Sequence, residues 1–269
     1  MKKTIFILLG LLMILLSCNK LHDTFDINCK VVTVTTQDGV STFEYDDNDK
    51  IISITNQPPN LKIIIGYDEV GRVIKMERYT MHDNTLKGYS NFNWVDNNHV
   101  DSDSYYYSVN YGAWLEDIHK IELNDNGNQI KREFYQKDEN ENWFVSSYIE
   151  ICWNKGNLVR TEFFTRDSEI NEFKKINTHL YEYDTKINPW KNLSIRSVIF
   201  DFSIFPISAN NPVTERMTFN TARSSLMLKM DYQYNSLNYP VSYIQTKIDA
   251  ETGEVHENYG VTSIEYYCN

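Results

Sequence analysis

The stretch YDEVGRVIK, Tyr67–Lys75, sets a tyrosine at the end of an apolar run, then an acidic turn with a glycine, then an apolar–polar alternation. Related stretches stand at YDDNDKIIS, Tyr45–Ser53, and at LNDNGNQIK, Leu123–Lys131. Asp and Asn fold their side chains back onto the backbone of a tight turn, and Gly or Asn supplies its left-handed residue. Period-2 alternation on both sides of such a turn is the mark of a β-hairpin.

The unit recurs along the chain. FEYDDNDKIISIT starts at Phe43, IGYDEVGRVIKMERY at Ile65, FNWVDNNHVDSDSYYY at Phe92, IELNDNGNQIKREFYQ at Ile121, IEICWNKGNLVRTEFF at Ile149 and DYQYNSLNYPVSYIQ at Asp231. The apolar residues before the turns are Tyr45, Tyr67, Trp94, Leu123, Trp153 and Tyr234. The first five stand 22 to 30 residues apart, room for two strands and two turns. A drifting period of that size indicates supersecondary units that bury their faces against neighbours. In NWFVSSYIEICWN, Trp143, Val145, Ile149, Ile151 and Trp153 share one face with Ser147, the pattern of a single strand. The expected fold is all-β: an antiparallel meander of repeated hairpins forming a long, strongly curved sheet that rolls toward a barrel. The rhythm breaks from Trp190 to Asn220, where NLSIRSVIFDFSIFPIS is apolar without clear alternation. A short helix or irregular segment near residues 190–212 is expected there, with a buried strand pair as the alternative.

Lys2 and Lys3 followed by the apolar run Ile5–Leu16 form a signal-peptide pattern, too short to cross a bilayer. The run ends in LLSC, Leu15–Cys18, which resembles the lipobox of bacterial lipoproteins. The resemblance implies removal of residues 1–17, lipid attachment at Cys18 and membrane tethering through it. Residues 18–27 then form a tether and 28–269 a single hairpin-repeat β domain. The full chain carries a formal net charge of −11, and loss of Lys2 and Lys3 makes the remainder more acidic still. So acidic a chain gains nothing from the counterion release that drives binding to phosphate backbones, so nucleic acid is not an expected partner. Of the other cysteines, Cys29, Cys152 and Cys268, an exported chain can pair two; a staple between the ends, Cys29 with Cys268, is one arrangement the sequence allows.

The turns also resemble the YD repeats of large bacterial shell-forming proteins. YEYDTKINPW (Tyr181–Trp190), NNPV (Asn210–Val213) and YQYNSLNYPV (Tyr232–Val241) are similar, in that order, to segments of uncharacterised Bacteroidota lipoproteins. Asn235 and Asn238 replace the aspartate and glycine of that pattern, and Asn tolerates the same backbone conformation. The resemblance implies a fold and an address, an outer-membrane lipoprotein of the cell envelope, and no activity.

Candidate chemistry is sparse. The oxygen-rich clusters DDND (Asp46–Asp49), NDNGN (Asn124–Asn128) and DSD (Asp101–Asp103) lack the frame of a calcium loop and read as hairpin turns. No two of the six histidines fall within five residues of each other, and no HExxH occurs. His99 with Asp101 and Asp103 would share one strand face; Cys152 reads as a buried thiol. No metal or cofactor is expected. The functional idea rests on aromatics: SYYYSVNYGAW (Ser104–Trp114) carries Tyr105, Tyr107, Tyr111 and Trp114, suited to stack on a glycan, peptide or protein partner. A non-enzymatic binding module is therefore the leading expectation. The alternative is an envelope hydrolase whose acid and base residues meet only in the fold.

Overall fold

In the computed structural model the described residues are 29–108, 112–191, 193, 195, 197–198, 208–220 and 224–268. Cys18, with the whole of residues 1–28, lies outside them. By internal contacts Val31–Tyr266 forms one compact unit, and the two chain ends form a second. In the ends, Cys29 is disulfide-bonded to Cys268, closing a sequence separation of 239 residues.

Among the described residues sixteen strands, each antiparallel to its neighbours in sequence, form one closed barrel in which the last strand returns to the first. The strands that position the site are β1 (Cys29–Thr36), β2 (Gly39–Tyr45), β3 (Ile51–Gln57), β4 (Leu61–Tyr67), β5 (Val73–Thr80), β6 (Leu86–Trp94), β7 (His99–Ser108), β8 (Gly112–Leu123) and β9 (Gln129–Lys137). They continue as β10 (Trp143–Asn154), β11 (Asn157–Arg166), β12 (Phe173–Tyr183), β13 (Pro212–Phe219), β14 (Ser224–Tyr234), β15 (Pro240–Asp249) and β16 (Val255–Cys268). No helix occurs among the described residues.

The repeated turn is one local structure used many times. In the β2–β3 turn, Asp46 Oδ1 accepts from the backbone N–H groups of Asn48 (2.9 Å) and Lys50 (2.8 Å). Asp68 repeats this with Val70 and Arg72, Asn124 with Asn126 and Asn128, and Asn235 with Leu237 and Tyr239. The left-handed residue each turn needs is Asp49 (φ 65°), Gly71 (φ 90°), Gly127 (φ 72°) or Asn238 (φ 64°). The Asn238 substitution is thus accommodated at the position where the resemblance has glycine.

Aromatics before most of the turns, and Tyr266 near the end of β16, tie one hairpin to a preceding one. Tyr45 donates to the carbonyl of Val31 (2.7 Å), Tyr67 to Ile51 (2.6 Å), and the Trp94 indole to Val73 (2.9 Å). Trp153 donates to Gln129 (2.7 Å), Tyr183 to Leu158 (2.6 Å) and Tyr266 to Pro240 (2.5 Å). Most of these carbonyls belong to residues paired with the previous aromatic across a register shift: Ile51 with Tyr45, Val73 with Tyr67, Leu158 with Trp153 and Pro240 with Tyr234. A bulge strengthens local twist and bends its strand, as closure of a sheet requires. The sequence repeats the turn because most copies make the same bulge and a rung of a ring around one rim; the β6–β7 hairpin pairs without a register shift, and Leu123 carries no donor. Trp153→Phe removes a donor from a buried carbonyl while keeping most of the ring; the expected loss is about 1–2 kcal/mol by chemical denaturation.

The turn carboxylates also set the response to acid. Backbone N–H donation, foremost from Lys50, Asn142 and Thr252 respectively, holds Asp46, Asp138 and Asp249 below the ordinary carboxylate range. A depressed folded-state value adds stability that is complete above the unfolded carboxyl near pH 4 and is lost as pH falls through the folded values. The melting temperature should therefore hold between pH 7 and 5 and fall below about pH 4. Equal melting temperatures at pH 7 and pH 3 would contradict this.

Inward residues pack with the segment between β12 and β13. Trp190, Leu193, Ile195 and Val198 join Val31, Phe43, Ile51, Ile65, Phe92 and Ile264 in one buried cluster. The Phe43 and Trp190 rings lie 5.3 Å apart. Residues 188–198 form turns where described, the irregular alternative to a helix, and 199–207 fall outside the described residues. Pro212 already opens β13. The segment's described apolar residues, Trp190, Leu193, Ile195 and Val198, interrupt the rhythm because they pack into the core rather than extending the wall.

Two details depart from the alternation read in sequence. A bulge between Val145 and Ser147 pairs Ser147 with inward Phe134 but Val145 with Tyr135, so Trp143 and Val145 leave the face of Ile149 and Ile151. Asp101 and Asp103 lie within β7, not in a turn.

Candidate functional site: the barrel lumen

Between the crossing segment and the opposite rim a cavity of about 680 Å³ remains, all of its lining drawn from the Val31–Tyr266 unit. The crossing segment provides the floor through Trp190, Ile195 and Val198, while Asp38, Pro58 and Pro59, from the β1–β2 and β3–β4 turns, stand at the mouth. That volume lies within the range of small-ligand sites.

The floor is fixed by polar anchors. Asp184 accepts from the N–H of Lys186 (2.9 Å), the backbone N–H of Asn211 (3.1 Å), the Asn211 side-chain amide (3.1 Å) and the Tyr234 hydroxyl. Asn188, fully buried, donates to the Asn210 carbonyl (3.0 Å) and accepts from the Trp190 N–H (2.9 Å). Arg132, on β9 and buried in the wall, donates to the carbonyl of Val198 (2.9 Å).

The wall mixes aromatic faces with neutral polar groups. Tyr181, Tyr183, Tyr232 and Tyr243 line it together with Ser41, Asn56, Ser90, Ser104 and Gln245. Ser41 donates to Asn56 Oδ1 (2.7 Å), and Ser90 and Ser104 share a 2.8 Å hydrogen bond. Burial raises all four phenols, so they remain protonated donors at neutral pH. Burial, reinforced by the charge of Arg132, pushes His119 down to about 4, leaving its imidazole neutral. Burial also lowers Arg132, though its guanidinium stays charged at pH 7. Glu215 and His179 share a 2.7 Å hydrogen bond, with Glu215 facing the lumen.

Glu215 and Asp38 are the carboxylates on the described lining, one in the wall near the floor and the other in a turn at the mouth. A glycosidase needs two carboxyl groups about 5–10 Å apart across the scissile bond. Turn and wall residues at opposite ends of the lumen do not provide that pairing.

The residues singled out by sequence are divided. Tyr105 stacks on Tyr89 (4.8 Å, 18°) and Tyr107 is exposed, both on the outer face of β7. Trp114 instead stacks on Tyr106 (6.1 Å, 25°), on the inner face. Tyr111 lies outside the described residues. His99 takes Asp96 as its partner (2.9 Å), not Asp101 or Asp103, and stands exposed. Cys152 faces outward and is half-exposed, beside Arg160 (3.3 Å), rather than buried. Glu215, His179, Tyr232 and Tyr243 were not separable from ordinary strand residues in the sequence.

The outer wall carries charge at mid-strand. Lys75 pairs with Glu77, Lys131 with Glu133 (each 2.7 Å) and Lys175 with Glu162 (2.9 Å). A lipid-facing barrel wall needs an uninterrupted apolar band, which these pairs break.

No protein-family model matches the chain, and no curated protein does. Among solved structures, a porin-like protein from Bacteroides vulgatus is 13% identical over 88% of this chain and 98% of its own, with a TM-score of 0.41. A porin-like protein from Bacteroides uniformis is 11% identical over 90% and 98%, with a TM-score of 0.38. A protein of unknown function from Bacteroides fragilis is 13% identical over 45% and 91%, again with a TM-score of 0.38. Likenesses this distant leave function to be read from the chain's own residues.

Proposed function

We propose that this protein is a lipid-anchored lipoprotein of the cell envelope that binds a ligand without transforming it, and that the barrel lumen is where it binds. The observation that carries the reading is the cavity: a floored pocket in which Trp190, Tyr232 and Tyr243 offer flat faces and Ser104, Asn56 and Gln245 offer neutral hydrogen-bonding groups. Aromatic faces beside uncharged donors and acceptors match the two surfaces of a sugar ring, so a glycan is the preferred ligand over a peptide or protein. Anchoring rests on the LLSC segment, and the ion-paired outer wall supports a barrel standing in water rather than in the bilayer.

Ser104→Trp places an indole in the lumen. It should weaken binding of any lumenal oligosaccharide at least tenfold in calorimetric titration of the full chain, with the far-ultraviolet spectrum unchanged. Undiminished binding in that variant would move the site elsewhere. Cys18→Ala should reduce incorporation of a clickable fatty acid to background and release the protein from the membrane fraction; retained labelling would refute lipidation at Cys18.

A second reading has one observation in its favour, the His179–Glu215 pair with its carboxylate on the lumen. A lumenal hydrolase would release product from a bound oligosaccharide, and Glu215→Gln would abolish that release while sparing binding. Chromatography of a prolonged incubation decides between the readings.

A further inference from the structure

Four residues on four successive strands form one transverse row across the inner face at the open rim. Arg78 on β5 pairs with Gly88 on β6, Gly88 with Tyr106 on β7, and Tyr106 with Trp114 on β8. The Arg78 guanidinium lies over the Tyr106 ring at 5.2 Å, and Tyr106 stacks on Trp114. Gly88 lets the guanidinium cross the intervening strand: a Cβ there would stand 3.3 Å from Arg78 Nη2 and 2.6 Å from the Tyr105 carbonyl oxygen. Arg78 lines the cavity, whereas Tyr106 and Trp114 are 41% and 45% exposed beyond it.

We propose that this row is a recognition platform for an acidic oligosaccharide, with Arg78 taking a sugar carboxylate and Tyr106–Trp114 taking a ring face. The proposal rests on the lumenal reading above and names its substrate class. Arg78 forms no ion pair among the described residues, whereas Lys62, Lys75, Lys131 and Lys175 of the wall each hold one. The charged groups near it are Glu116, which feels its field from β8 without pairing, and Asp38 across the mouth. An unpaired guanidinium over an aromatic ring has donors to offer a ligand, and its fork matches a carboxylate with two parallel hydrogen bonds. An aromatic face placed next to it suits the apolar side of a pyranose better than it suits a bare anion. Two large aromatics in contact and half in water, at the entrance of a cavity with further aromatic faces, continue the same surface outward. The net charge of −11 opposes an anion only at long range, where salt screens it; the nearby cation acts within the Debye length of about 8 Å.

The test is calorimetric titration of the full chain with trigalacturonate and with its neutral counterpart galactotriose, at low and high salt. Trigalacturonate should bind at least tenfold more tightly, with the difference shrinking as salt rises. Arg78→Gln should bring trigalacturonate to the affinity of the neutral sugar and leave the neutral sugar unchanged. Trp114→Ala should weaken both, and melting curves of the two variants should overlay the parent. Arg78→Gln retaining the acidic preference would overturn the proposal. So would equal binding of both sugars; if Ser104→Trp then abolished both, the lumenal reading would still stand. Binding of an acidic hexapeptide in place of either sugar would overturn the carbohydrate class, and binding of none of the three probes would overturn the proposal outright.

Discussion

Replacing Cys29 and Cys268 together with serine should destabilise the protein by about 4–5 kcal/mol, near the top of what one disulfide contributes. The bond closes a sequence separation of 239 residues, and the entropy it removes from the unfolded chain grows with the logarithm of that length. For a chain of this size the loss corresponds to a fall of roughly 10 °C in melting temperature. Closure of the barrel pairs the first strand with the last, the contact between the most remote parts of the chain. The bond therefore acts where the chain has least local help. Melting the parent with and without a reductant checks the prediction against the double variant. Cys152, the free thiol, provides the control: Cys152→Ser should melt like the parent.

The second large effect is expected at Asp184. Its carboxylate accepts two hydrogen bonds from Asn211, one from the Lys186 N–H and one from the Tyr234 hydroxyl, pinning both ends of the segment that floors the lumen. Asp184→Ala leaves those donors stranded, and bonds to a charged acceptor are the stronger kind, so a loss of about 3 kcal/mol is expected. Hydrogen exchange should localise it, with protection falling across residues 185–198 and holding in the β4–β5 hairpin. Asp68→Ala removes a comparable turn acceptor from an exposed hairpin and should cost only about 1 kcal/mol, without touching the floor. Similar effects of the two substitutions would mean that the crossing segment is not anchored as described.

The hairpins were legible because their chemistry is local. Asp46, Asp68, Asn124 and Asn235 each bond to N–H groups two and four residues on, so the turn is written entirely within five positions. Closure was not, since no local pattern distinguishes a strongly curved sheet from one whose first and last strands meet. The crossing segment read as ambiguous because its partners, Phe43, Ile51 and Phe92, are remote in sequence. The aromatic ring was half visible: the residues before the turns were named, but their hydrogen bonds to the previous hairpin depend on the bulges. Leu123 shows the limit, occupying the position of an aromatic without a donor of its own.

The candidate site was less legible than the fold. Tyr105, Tyr107 and Trp114 look alike in a row of aromatics, yet the pleat sends the first two outward and Trp114 inward with Tyr106. Arg78, Gly88, Tyr106 and Trp114 span 37 positions with no shared motif, and only pairing register brings them into line. The Arg78–Gly88 register itself follows a bulge at the next residue. Registers counted outward from each turn would have found the Gly88–Tyr106 pair, whose strands meet without a shift, but not the Arg78 neighbour.

The structure of the protein bound to trigalacturonate tests the account most directly. The account predicts the sugar in the lumen, a ring against Trp114 or the Tyr232–Tyr243 wall and a carboxylate on Arg78. Sugar on the outer wall against Tyr89 and Tyr105, with the lumen empty, would contradict it.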